Sequence, residues 1–172
     1  GDGGPATEAT LSEPQGVTVD ASGNIYIGDS GNRRVRRVDA ETGIISTIAG
    51  TGETGESGDG GPAAGATFDE IVEVLVEGNS GLYVAEGIGA SQRGTINRVR
   101  RIDLSTGTVA TVAGNGSALF SGDGVPATDT GMAPQGLALD SEGNLYIADF
   151  NNHRVRKVDA ATGTISTIAG RG

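Results

Sequence analysis

Apolar residues in this chain come in short bursts, each broken within a few positions by Gly, Asp, Asn or Ser. Residues 16–20 read GVTVD, 25–27 IYI, 34–38 RVRRV and 44–49 IISTIA, with apolar and polar positions alternating through much of them. Alternation at a period of two sends one face of an extended segment to a core and the other to solvent or polar neighbours. The apolar positions are mainly β-branched, which suits a pleated, half-buried surface. The breaks at 21–24 (ASGN) and 41–43 (ETG) carry turn chemistry. This stretch predicts four short antiparallel strands in succession. No window sustains an apolar period of 3.6, so no helix is predicted.

The pattern then returns. Residues 144–159 (NLYIADFNNHRVRKVD) repeat 24–39 (NIYIGDSGNRRVRRVD), and 81–103 is a stretched version of both. Each unit opens on a glycine-rich phrase, GDGGPA at Gly1 and Gly58 and GDGVPA at Gly122, which divides the chain into units 1–57, 58–121 and 122–172. These units are longer than helical repeats (~33–47 residues) and suit a four-stranded blade. Four antiparallel strands repeated side by side predict an all-β β-propeller architecture, with three blades in this chain. The middle unit departs twice. Pro14-Gln15-Gly16 and Pro134-Gln135-Gly136 correspond there to Ile71-Val72-Glu73, and its second-to-third strand loop is enlarged at about 87–95.

The segments PQGLALD (134–140), NLYIAD (144–149) and NNHRVRKVD (151–159) resemble the NHL repeat family, and NRRVR (32–36) matches nearly as well. The middle unit matches in Leu82-Tyr83-Val84, in NRVR (97–100) and in TVAG (111–114). The resemblance covers essentially the whole chain. It implies propeller blades, usually in six-bladed rings that serve as binding platforms, with a minority of enzymes. Three blades cannot close a ring, and the first and last would each expose a broad apolar face. Two copies placed end to end would close one, with blade 3 of each against blade 1 of the other about a two-fold axis. The expectation is a half-propeller that homodimerises into a six-bladed ring. The alternative is a piece of a longer propeller. A start at Gly1 inside a repeat suits a processed, excised or engineered product.

The net charge of −10 argues against nucleic acid and anionic membranes as partners. No run approaches the ~20 apolar residues of a membrane span. The absence of cysteine excludes disulfides and thiolate metal sites.

Ten of the twelve basic residues cluster at the third strands (Arg33, Arg34, Arg36, Arg37; Arg98, Arg100, Arg101; Arg154, Arg156, Lys157), with acidic residues closing the flanking strands. A site is usually unique whereas scaffolding repeats, so these predict a ladder of Arg–carboxylate pairs within the blades rather than an anion-binding belt. The GTGETG run at 50–55 matches G-x-G-x-x-G but does not open a helix, which that motif requires. The Asp20 and Asp140 turns lack the sixth-position Gly and twelfth-position Glu of a calcium loop; Ile25, Leu145, Gly31 and Asn151 stand there. One histidine, His153, is too few for a multi-histidine zinc site and is expected in a loop.

These exclusions predict a non-catalytic scaffold or binding module, with no catalytic residue, metal site or cofactor. Its partners would be a second copy of itself and a protein or carbohydrate on the loop rim. The second-to-third strand loops and the Gly-Asp-Gly phrases are expected on that rim. The candidate rim residues are Gln92, Arg93, Phe150 and His153. Gln15, Gln135 and Glu73 are candidates at the channel wall, where Glu73 from two copies would make an acidic cation site. The competing reading is a calcium-dependent propeller hydrolase or lyase with a site at the channel mouth.

Overall fold

The structure is a computed structural model that describes residues 1–87 and 96–172. Blade 1 is a sheet of β1 (Pro14–Val19), β2 (Ile25–Asp29), β3 (Arg34–Val38) and β4 (Ile45–Ala49). Blade 2 contains β5 (Ile71–Glu77), β6 (Gly81–Glu86), β7 (Asn97–Asp103) and β8 (Val109–Gly116). In blade 3, β9 (Val125–Pro126) joins the outer edge of β10 (Pro134–Leu139), β11 (Leu145–Asp149), β12 (Arg154–Val158) and β13 (Thr164–Ala169). Strands pair antiparallel with their sequence neighbours, as the succession of short runs and turns predicts. Helix among the described residues is limited to three-residue 3-10 turns, too short to register as a period.

Registers repeat as the sequence does. Ile27 stands opposite Val17 and Arg36 in blade 1, and Ile147 opposite Leu137 and Arg156 in blade 3. The first strand carries a bulge near its start in all three blades, at Gln15/Val17, Ile71/Glu73 and Pro134/Gly136. A bulge sharpens the local twist, and its recurrence at one place marks it as part of the blade.

The Gly-Asp-Gly phrases do not lie on the rim with the second-to-third strand loops. Each runs along the outer edge of its own blade instead. Gly3 N–H donates to the Ile45 carbonyl at 2.9 Å, Gly60 to Val109 at 2.8 Å and Gly124 to Ile165 at 2.8 Å. In blade 3 the contact is regular enough to form β9. The physical reason is the edge itself: β4, β8 and β13 would otherwise present unpaired N–H and C=O groups. Each blade thus draws all its strands from one continuous stretch.

Apolar side chains form two cores, one per junction. Tyr26, Val35 and Ala49 of blade 1 pack with Val74, Leu82, Val84 and Ile102 of blade 2. Tyr83, Ala85 and Val99, from the other face of blade 2, pack with Leu145, Ile147 and Ile165 of blade 3. Blade 2 is covered on both sides, and β6 is buried along its whole length. The end blades each keep a bare face. On blade 1 it carries Val17, 65% exposed, and Val19, 56% exposed; on blade 3 it carries the exposed Ala148 and Val155.

Candidate functional site

One arginine at the middle of each third strand is consumed inside its blade. Arg36 donates to Asp2 at 2.5 Å and to Asp29 at 3.1 Å. Arg156 reaches Asp123 at 2.9 Å and Asp149 at 3.4 Å, and Arg100 reaches Asp59 at 2.9 Å through Nε. All three are buried. Each ties the edge phrase of its blade to the third strand, and in blades 1 and 3 also to the end of the second.

The carboxylate that closes the second strand is a further anchor. Asp29 accepts the Ser12 N–H at 2.8 Å, Asp149 the Ala133 N–H at 2.7 Å and Glu86 the Asp69 N–H at 2.9 Å. Glu86 also accepts from Arg98 Nε at 3.0 Å. Burial pushes the Glu86 carboxyl above the ordinary range, and the Arg98 charge opposes that push.

At the opposite end of the strands, Tyr26 Oη donates to Asp20 at 3.1 Å, Tyr146 to Asp140 at 3.0 Å and Tyr83 to Glu77 at 3.2 Å. Asp20 and Asp140 also accept N–H groups from their own turns. They fasten their hairpins. Among the described residues, no three His, Asp or Glu side chains converge in a way that could hold a metal ion.

The candidate residues separate. Gln15 lies at the blade 1–blade 2 junction, where its Nε2 donates to Glu70 Oε1 at 3.3 Å. Glu73 is half-buried and accepts the Val74 N–H at 2.9 Å; burial raises its carboxyl above the usual range. Gln135 is exposed at the matching position of blade 3. Phe150, 62% exposed, opens the 3-10 turn Phe150–Asn152 on the blade 3 rim. His153 follows in the left-handed region at φ 51, where Arg33 stands in blade 1 at φ 53. Gln92 and Arg93 lie outside the described residues.

The structure adds a group that the sequence reading passed over. Glu13, Arg33, Asp69 and Glu70 line a rim cleft of about 150 Å³ between blades 1 and 2. Its signal in the sequence is the acidic pair Asp69-Glu70 directly ahead of the irregular Ile71–Glu73 segment.

A family model described as NHL repeat matches residues 132–158, and one described as teneurin NHL domain matches residues 1–64. The chain belongs to the NHL-repeat β-propellers. Teneurin-4 of Mus musculus is 33% identical over 181 residues, an alignment covering 99% of this chain and 6% of teneurin-4. This NHL-repeat chain therefore spans a small part of that relative's length. Among solved structures, an auxiliary nutrient binding protein from Bacteroides thetaiotaomicron superposes with a TM-score of 0.66 at 20% identity, over 92% of this chain and 36% of that one. A streptogramin B lyase superposes at 0.57 and 15% identity, over 93% of this chain and 41% of that one. At such identities the likeness shows the fold alone. NHL propellers thus share their scaffold with a lyase, and the function must be argued from the residues.

Proposed function

We propose that this NHL-repeat chain is a non-catalytic binding module that pairs with a second copy to complete a six-bladed ring. Its ligand, a protein or carbohydrate segment, would be held on the loop rim. One observation carries the reading: the buried arginine–carboxylate layer recurs blade by blade and is spent on internal pairing. The buried Arg36, Arg100 and Arg156 all face carboxylates of their own blades. Catalysis needs a unique convergence of acid, base, nucleophile or metal. Two rim features differ between the blades, the exposed Phe150 and the Glu13–Glu70 cleft. Ring completion is supported by the end blades, whose bare faces hold positions that are buried at the internal junctions.

Elemental mass spectrometry of protein equilibrated with calcium and desalted tests this reading against a calcium-dependent hydrolase or lyase. The expected result is no stoichiometric ion. One ion per chain or per pair, lost in Glu73→Ala, would overturn the non-catalytic reading.

A further inference from the structure

The junctions inside the chain show which residues two neighbouring blades require of each other. Between blades 1 and 2, Gln15 donates to Glu70. Glu70 directly precedes β5 and follows Asp69, the residue whose N–H binds Glu86. Glu13 has the same place ahead of β1, following Ser12, whose N–H binds Asp29. Gln135 has in β10 the place of Gln15 in β1, each next to a proline that stands opposite the carboxylate closing the second strand. The same two residue types therefore hold the matching places at the two ends of the chain, Glu13 ahead of β1 and Gln135 within β10. The blade 2–blade 3 junction uses an apolar version, with Val72 in the glutamine's place packed into a core near Met132.

A second position agrees with the first. A Cβ on Gly28 would lie 2.8 Å from Ile71 Cγ2, so blade 1 carries no side chain where blade 2 presents isoleucine. The matching residue of blade 2 is Ala85, fully buried, and blade 3 presents Pro134 in isoleucine's place. The matching residue of blade 3 is Ala148, which is exposed, and blade 1 carries Pro14 at the corresponding position. Glycine meets isoleucine at the first junction, and alanine and proline hold the two matching places at the second. First strands also approach closely at a junction: a Cβ on Gly16 would fall 2.7 Å from the Val74 nitrogen, whereas one on Gly136 would meet only Ala148, at 3.6 Å.

We infer that the blade 3 face bearing Gln135, Gly136 and Ala148 is the seat for blade 1 of a second copy. Gln135 there donates to Glu13 of the second copy, and Ala148 packs on its Pro14. The occupant follows from continuity with the internal junctions, since the two free ends match each other by the same rules. This inference rests on the two-copy ring and names the contacts that close it.

The chain has no cysteine, so introduced pairs report cleanly. Oxidised Glu13→Cys/Gln135→Cys protein should run on a non-reducing gel as a covalent dimer and no larger. A mixture of the two single variants should also cross-link, while Gln15→Cys/Glu70→Cys should close a bridge within one chain. Independently, Ala148→Trp should lose the dimer in light scattering with its circular dichroism retained, and Leu119→Trp, outside the seat, should keep it. If Ala148→Trp stays dimeric, or positions 13 and 135 fail to link in a dimer while 15 and 70 do, the seat is wrong and the ring reading survives. A monomeric parent chain overturns both, and a ladder of higher multiples overturns closure.

Discussion

Arg156 is fully buried between Asp123 of the edge phrase and Asp149 of β11. Arg156→Met strands the equally buried Asp149 charge, and removing one partner of such a pair costs ~3–5 kcal/mol. Urea unfolding followed by circular dichroism should show that loss. Arg37→Met, whose partner Asp39 is partly exposed, should cost about 1 kcal/mol or less. Equal losses would contradict the scaffold role of the buried layer. The turn carboxylates make a prediction about pH. Asp140 is held at about 2, chiefly by the Asn144 side-chain amide, below the ~3.9 of an unfolded aspartate. The unfolded chain therefore takes up this proton first as pH falls. The stability Asp140 contributes is complete above about pH 4 and lost as pH falls through 2. Asp140→Asn should flatten the fall in melting temperature across that window; an unchanged slope would rule the turn out as a source. Repetition made the arginine layer legible in the sequence. It did not reveal that Asp2, Asp59 and Asp123 supply its outer partners, because that contact depends on how the edge phrase folds back.

Strands β1 to β8 and β10 to β13 were legible from alternation and β-branching, with the turns between them. The edge strand β9 was not, since two residues, one of them proline, carry no period. The rim cleft was hidden for a similar reason: Glu13 and Glu70 sit in connections, directly ahead of β1 and β5. A pair of glycines tests how closely those first strands approach. Gly16 at φ +70 and Gly43 at φ +68 share the same backbone preference, but a Cβ meets the Val74 backbone at Gly16 and open space at Gly43. Gly43→Ala should cost about 1 kcal/mol for conformation alone. Gly16→Ala should cost ~1–3 kcal/mol more for the clash. Calorimetric melting of the two variants gives the difference, and its absence would mean a looser junction than described.

Across the whole molecule, blade 2 is a two-sided slab between one-sided neighbours, and the architecture follows from that inequality. Its β6 reads GLYVAE, apolar on both faces but for its ends, because each face has a blade to meet. The end blades keep the same chemistry on faces that no blade covers among the described residues. The composition and repeat carried the fold class. They carried function only as far as an expectation of a binding module, because a repeated scaffold devotes its most conspicuous residues to itself. The candidate rim was legible in the sequence at Phe150 and His153, the Glu13–Glu70 cleft emerges only from the structure, and Gln92 and Arg93 lie outside the described residues. The central claim is that three blades form half of a ring. Sedimentation equilibrium over a range of micromolar concentrations tests it most directly. The account predicts one species at twice the 17.1 kDa chain mass. A single-chain mass at every concentration, or an open series of larger assemblies, would contradict it.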